Sequence, residues 1–195
     1  MKFHLDADIS YPSPKLHLAW ATAIMILFVL PLSLYLGKWN IPTWVSFVIW
    51  AEYFAMGGNR STWRVILPSL FFGVIMAGLW CGSAVFVAGL LKSSLGQLHS
   101  VYAGYALTNL IWVPLIIYSL EWSETLGAGA LAVFNGLTMV LAVYFTGSIP
   151  DVGPMANPYY VVGFAVAWTL MASYLGWFLG WLNVFLTFRD KPQGE

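Results

Sequence analysis

The stretch that decides the fold is PLSLYLGKW at residues 31–39, because the chain repeats it as PLIIYSLEW at residues 114–122. The two stretches agree without a gap at the proline, the first leucine, the tyrosine and the tryptophan. Shorter matches follow in the same order, AEYFA at 51–55 with AVYFT at 142–146, and IMA at 75–77 with LMA at 170–172. The chain is therefore predicted to consist of two related halves. Chance similarity among aromatic-rich helices is the alternative.

Both halves are too apolar for a soluble domain. Hydrophobic residues make up 60% of the chain and charged residues only 8%, whereas an ordinary soluble domain carries about a quarter charged residues. Eight basic residues balance eight acidic ones, so no basic surface is available to neutralise nucleic-acid phosphates. We therefore predict an all-α integral membrane protein surrounded by the lipid bilayer, and nucleic acid is excluded as a partner.

Six segments are long and apolar enough to be membrane helices, since a span needs about twenty apolar residues. They are continuously apolar, whereas the strands of a membrane barrel alternate apolar and polar residues. Glycine, proline and charged residues punctuate the breaks between them. The predicted spans are residues 16–37, 41–57, 65–91, 101–120, 126–147 and 159–188.

The six spans divide into two units of three, at residues 16–98 and 99–188, flanked by polar segments at 1–15 and 189–195. Because three is odd, the second unit enters the membrane upside down, which gives the inverted repeat typical of many transporters and channels. Cytoplasmic loops carry an excess of Lys and Arg. Both termini are therefore predicted to be cytoplasmic, because their side collects all the Lys and Arg except Lys38 and Lys92, namely Lys2, Lys15, Arg60, Arg64, Arg189 and Lys191.

Glu52 is the one acidic residue deep inside a predicted span. A charged side chain at the bilayer centre costs from about 2.5 kcal/mol upward, so such a residue is a functional candidate by default. Counted from the predicted span ends, Glu52 lies near the midplane, at a depth similar to those of Asn109 and Asn135. We expect these three side chains, contributed by both halves, to form a polar layer that recognises a small solute by hydrogen bonds.

The other polar candidates are hydroxyl residues, and they are weaker because hydroxyls in helices often bond to their own backbone carbonyls. They are Thr108, Thr138 and Ser69. A structural alternative also stands for the stronger candidates. In it, Glu52 reaches toward Arg60 or Arg64 at the cytoplasmic end, while the asparagines only join helices.

Proline and glycine positions add structural expectations. Pro31 and Pro114 lie inside the first and fourth spans, where each removes a backbone donor; the resulting kink either frees carbonyls for a ligand or only bends the helix. Small residues spaced four apart let membrane helices approach closely. The pairs with this spacing are Gly73 with Ala77, Gly78 with Gly82, and Gly176 with Gly180.

The sequence contains no recognisable metal site, cofactor-binding motif or catalytic motif. The histidines are His4, His17 and His99, and the predicted topology puts the last two on opposite membrane faces, too far apart to bind haem together. Cys81 is the single cysteine and is expected to be a small buried side chain. Hydrolase, nucleotide-binding and dinucleotide-binding motifs do not occur on plausible elements. No cofactor, no metal site and no enzymatic activity are predicted.

Two stretches carry a resemblance to a known family. WVSFVIWAEYFAMGG at residues 44–58 and LPSLFFGVI at residues 67–75 resemble the shared pattern of a family of small bacterial inner-membrane proteins catalogued as a domain of unknown function. The resemblance implies a location in the bacterial cytoplasmic membrane and supplies no catalytic residues. An acid at the Glu52 position is not part of that pattern, and this chain has an additional polar head and tail.

The function predicted from these features is a passive channel or facilitator for a small neutral solute or weak acid, such as urea, an amide, ammonia or a short carboxylic acid. Six short helices make a thin wall, so we expect a homo-oligomer. The alternative is a non-transporting accessory subunit whose polar and aromatic residues contact other membrane subunits.

Overall fold

A computed structural model describes residues 16–150 and 157–188, and the predicted polar segments 1–15 and 189–195 lie outside the described residues. This part of the chain consists of helices joined by short turns. The helices are α1 (Leu18–Gly37), α2 (Thr43–Ala55), α3 (Trp63–Ser119), α4 (Glu124–Ala128), α5 (Ala130–Thr146) and α6 (Pro158–Thr187), and a single 3₁₀ turn (Arg60–Thr62) precedes α3.

The long helix α3 is broken at Gly96, whose φ of 74° and ψ of 171° are not helical. A positive φ is strained for residues with a Cβ, and glycine is the residue that adopts it readily. The break separates two segments that we call α3a (63–95) and α3b (97–119). It lies between the predicted spans 65–91 and 101–120, close to the predicted boundary between the halves at residues 98 and 99.

The described helices include three that are long and apolar enough to cross a membrane, namely α1, α3 and α6. The chain is therefore a transmembrane protein. With a rise of about 1.5 Å per residue, α2 (13 residues) and α5 (17 residues) are about 20 and 25 Å long. Both are shorter than the segments predicted at 41–57 and 126–147. The second of those segments divides at Gly129 into α4 and α5, and Gly129 packs tightly against the Ser69 side chain.

Side-chain caps fix where several helices begin. The side chains of Asn59 and Asn157 accept hydrogen bonds from the backbone N–H groups of Ser61 and Tyr159, which begins the 3₁₀ turn before α3 in one half and α6 in the other. The His17 imidazole accepts from the Ala19 N–H in the same way at the start of α1. Such caps satisfy backbone donors that the first helical turn leaves without a partner.

The two largest helix contacts are those of α5 with α3 and of α2 with α6. Helix α2 packs on α6, with Ser46 against Gly176 and Tyr53 against Gly180. Since both residue numbers rise together along the contact, these helices run parallel. A Cβ on Gly176 would collide with the Ser46 carbonyl oxygen, so the glycine is what permits the backbones to touch.

The contact between α5 and α3a repeats this arrangement. Ser69 lies against Gly129 and Gly73 against the Val133 carbonyl, so these helices also run parallel and also meet at a glycine. Of the predicted small-residue positions, Gly78 meets the Val166 side chain, whereas Gly82 has open space where its Cβ would be.

Two outer helices, α1 and α3b, pack against these helix pairs. Helix α1 lies on α6, where Asn183 Nδ2 donates to Thr22 Oγ1 at 2.8 Å. Helix α3b folds back on α3a and runs antiparallel to it, since Gly104 lies against Ala84 and Ala88 whereas Thr108, further along α3b, accepts a hydrogen bond from Trp80 Nε1 at 3.0 Å. Trp112 Nε1 also donates to Ser83 Oγ at 2.8 Å. These bonds hold the outer helices α1 and α3b against the central helices.

Apolar side chains cover the outer surface of the bundle. On α1 only Ala21, Met25 and Val29 are buried, whereas Phe28 and Leu34 are 72% and 80% exposed. Exposing many leucine and phenylalanine side chains to water is unfavourable, whereas the hydrocarbon core of a membrane accommodates them. The core lies instead between α2, α3a, α5 and α6, around Ile49, Leu70, Val74 and Val140.

Candidate functional site

Glu52 of α2 and Asn135 of α5 form a hydrogen-bonded pair, in which Asn135 Nδ2 donates to Glu52 Oε2 at 2.7 Å. Glu52 is only 3% exposed, and its second oxygen, Oε1, is buried without a hydrogen-bond partner among the described residues. A buried carboxyl oxygen without a partner is costly. This pair, formed by one helix from each half, is the candidate site.

Neighbouring residues set the orientation of both side chains. On α2, Tyr53 is fully buried against Gly180, and its hydroxyl donates to the Gly58 carbonyl at 3.0 Å. On α5, a Cβ at Gly136 would lie only 2.6 Å from the Leu70 carbonyl oxygen, so the Gly136 side of α5 faces α3a. These two contacts fix the rotation of each helix, and Glu52 and Asn135 consequently meet between α2 and α5.

The ends of α2 and α5 are tied together as well. Asn40 lies just before α2, and its Nδ2 donates to the Ile149 carbonyl at 2.7 Å and to the Gly147 carbonyl at 3.3 Å, just after α5. The start of α2 therefore meets the end of α5, and the two helices run antiparallel. The site is therefore one of two polar contacts between these helices. Of these two contacts, the Glu52–Asn135 contact is the one that leaves a buried side-chain oxygen, Glu52 Oε1, without a partner among the described residues.

The alternative in which Glu52 reaches Arg64 is not what the described side chains show. Arg64 is exposed, and its guanidinium lies 5.6 Å from the centre of the Trp63 ring. The hydrogen-bond partner of Glu52 is Asn135. The side chain of Arg60 lies outside the part of the chain that the structure describes.

The pair lies near the C-terminal end of α2. Glu52 is three residues from the end of that helix, and the neighbouring Tyr53 packs at Gly180, seven residues before the end of α6 at Thr187. The Gly57–Gly58 turn follows α2, and both glycines have positive φ. The depth near the midplane, counted from the outer end at Ile41, stays a prediction.

Asn109 does not join the pair. It is exposed on α3b. Gly104, five residues earlier on that helix, contacts α3a at Ala84 and Ala88. Gly136, next to Asn135, contacts α3a at Leu70 and Val74 instead. At about 1.5 Å per residue along these helices, the two asparagines are separated by roughly 10 Å in height. The expected three-residue layer is therefore a two-residue contact, because α3b packs further along α3a than the count of span depths assumed.

The weaker candidates occupy structural positions or the surface. Thr108 is buried and donates to the Gly104 carbonyl at 2.8 Å while accepting from Trp80. Ser69 is buried and donates to the Thr125 carbonyl at 3.1 Å. Thr138 is exposed on α5, one turn beyond the partly exposed Asn135.

The kink and metal candidates lie away from the pair. Pro31 and Pro114 are exposed inside continuous helical segments, so any carbonyl that they free is on the outer surface. His17 caps α1 and His99 is exposed at the start of α3b, while His4 lies outside the described residues. Cys81 is buried. Residues 16–150 and 157–188 contain no group of three His, Cys, Asp or Glu side chains that could hold a metal ion.

Sequence reasoning missed a second buried amide, Asn183 of α6. Its Oδ1 has no hydrogen-bond partner among the described residues, and neither do the hydroxyls of the buried Thr169 and Ser173 on the same helix. The signal was available, because Asn183 also interrupts an apolar run. Its Nδ2 bonds to Thr22, which marks it as a contact between α1 and α6.

Comparison with known proteins gives no further guide to the site, because no protein family model, curated protein or solved structure matches the chain.

Proposed function

We propose that this protein is a passive channel or facilitator for a small neutral solute or weak acid, and that the Glu52–Asn135 pair is its recognition site. The observation that carries the proposal is the Oε1 oxygen of Glu52, which is buried inside a transmembrane protein and lacks a partner in the described structure. Intramembrane acidic residues are rare and functional by default. A solute that donates a hydrogen bond would satisfy this oxygen.

The inverted repeat is part of the same proposal, with α1, α2 and α3a as one unit and α3b, α5 and α6 as the other. Helix directions support it. Helix α2 runs parallel to α6 and α5 runs parallel to α3a, each pair touching at a glycine, while α3b runs antiparallel to α3a. Two mirrored three-helix units would place the second helix of each unit parallel to the third helix of the other unit. Transporter sites lie where such units meet.

We place the protein in a bacterial cytoplasmic membrane as a multi-pass protein, with both termini in the cytoplasm. The excess of Lys and Arg on the terminal side supports this orientation. The resemblance of residues 44–58 and 67–75 to small inner-membrane proteins supports the location. On this topology the Glu52–Asn135 pair lies in the cytoplasmic half of the membrane.

A homo-oligomer would close the route to the site. Asn135 is partly exposed and Thr138 is exposed one turn away, so both lie on the same side of α5. A solute that follows this polar strip from Thr138 to Asn135 would meet Glu52 next. In a single subunit the strip borders lipid, and a second copy of the chain packed against it would separate the route from lipid.

The proposal is tested by replacing Glu52 with Gln in purified protein reconstituted into liposomes. We expect wild-type protein to accelerate stopped-flow swelling in urea or acetamide, and Glu52→Gln to remove most of that acceleration. Glu121→Gln is the matched control, because it makes the same chemical change at an exposed residue in the turn before α4 and should behave like wild type. Wild-type liposomes no leakier than empty ones for any small solute would contradict the proposal.

A second function, that of an accessory subunit, is favoured by one observation. Asn109 is exposed on the apolar helix α3b, and a polar amide facing hydrocarbon is unfavourable unless another chain covers it. An accessory subunit predicts stable co-purification with unrelated membrane proteins and no solute flux. Purification of the intact chain in mild detergent distinguishes the two functions.

A further inference from the structure

The hydrogen-bonding groups left open at the pair define a narrow class of solute. The carboxyl of Glu52 uses one oxygen to accept from Asn135 and keeps Oε1 without a partner in the described residues. The Asn135 amide uses one of its two N–H groups in this bond, so its second N–H and its carbonyl oxygen remain for a ligand. The site therefore offers a carboxyl oxygen and an amide N–H side by side.

We infer that the pair selects solutes of the primary amide and urea class over carboxylates of the same size, an inference that rests on the proposed function. An amide carries an N–H donor and a carbonyl acceptor on adjacent atoms. The donor fits Glu52 Oε1, and the acceptor fits the remaining N–H of Asn135. One planar solute then satisfies both open groups at once, without adding a charge.

Other small solutes match the pair less well. A carboxylate such as acetate carries only acceptors, so it offers no donor to Oε1, and it would bring a negative charge into a buried site. Methylammonium carries only donors, so it would leave the Asn135 N–H without an acceptor. Sites with buried polar groups reject analogues that leave those groups unpaired, which is the source of their selectivity.

Access to Oε1 follows the partly exposed edge of Asn135. Glu52 itself is 3% exposed, so a solute reaches Oε1 only when the bond between Asn135 and Glu52 opens or shifts. Once an amide solute has entered, that bond re-forms, and both Oε1 and the second N–H of Asn135 are paired with the solute. With acetate the bond re-forms as well, but Oε1 still receives no donor from the solute.

The test measures four solutes in the same proteoliposomes: acetamide, acetate, urea and methylammonium. Acetamide and acetate have nearly the same size and shape, so their comparison isolates the chemical difference. Uptake of each radiolabelled solute is measured and corrected for empty liposomes, and valinomycin with potassium balances the charge carried by the ions. We expect acetamide and urea to pass roughly three- to tenfold faster than acetate and methylammonium, the discrimination given by about one hydrogen bond. In Glu52→Gln that ratio should fall to about one, while Glu121→Gln keeps it.

The outcomes separate this inference from the function on which it depends. If acetate or methylammonium passes as fast as acetamide, the selectivity is overturned while transport itself stands. If none of the four solutes exceeds the empty-liposome rate, the proposed function fails. Wild-type protein alone distinguishes these results, so the test does not depend on whether Glu52→Gln folds.

Discussion

At the scale of single residues, the decisive feature is a buried carboxyl whose only hydrogen-bond partner among the described residues is an amide from the other half of the chain. Both residues could be found in the sequence, because acidic and amide side chains are expensive inside apolar spans. Their contact could not. It depends on helix rotations that Gly136 and Gly180 determine by touching neighbouring helices, and nothing in the spacing of Glu52 and Asn135 encodes those contacts.

Replacing Asn135 with Leu should destabilise the protein, since both carboxyl oxygens of Glu52 would then be buried without a donor. A buried group left unsatisfied costs about 1–3 kcal/mol. The measurement is the free energy of unfolding in mixed detergent micelles, titrated with sodium dodecyl sulfate.

Asn109→Leu provides the matched control, because it makes the same change on an exposed face of α3b. It should leave the free energy of unfolding unchanged or raise it. Equal destabilisation by both substitutions would show that Asn135 makes no special contact with Glu52.

At the scale of helices, apolar run length predicted where most segments begin and end. The first predicted span, at 16–37, differs from α1 by two residues at its start, and the last, at 159–188, differs from α6 by one residue at each end. The second and fifth segments were predicted too long. Their ends are set by the Gly57–Gly58 turn and by Gly129 against Ser69, and hydropathy does not report such local backbone contacts.

The glycine contacts between parallel helices give a prediction at this scale. Gly73→Ala should lower the free energy of unfolding by about 1–3 kcal/mol, as overpacking in a close-packed interior does, because its Cβ would collide with the Val133 carbonyl. Gly82→Ala on the same helix has open space around its Cβ and should be neutral or slightly stabilising.

The same comparison applies to the other half. Gly176→Ala would collide with the Ser46 carbonyl, whereas Gly163 on the same helix has open space. Detergent unfolding of the four variants measures both contacts. If Gly73→Ala and Gly176→Ala were as stable as their controls, the backbone contacts would not hold the helices together.

At the scale of the whole molecule, apolar composition predicted a membrane protein, and the long apolar helices confirm it. The two related halves indicated by the repeated proline motif stay a prediction. Sequence spacing could not predict that α2 packs on α6 and α5 on α3a. These contacts place α2 and α5 side by side, where Glu52 and Asn135 meet.

The most direct measurement is the sidedness of four single cysteines, introduced after replacing Cys81 with Ser and labelled with a membrane-impermeant maleimide. Lys38, Ser61, Ser94 and Ser123 are exposed residues in or beside successive turns between helices, so each reports one loop. Two mirrored three-helix units predict that Lys38→Cys and Ser94→Cys are labelled only from the periplasmic side, and Ser61→Cys and Ser123→Cys only from the cytoplasmic side. Labelling of Lys38→Cys and Ser61→Cys from the same side would mean that α2 does not cross the membrane, and the inverted repeat would be wrong.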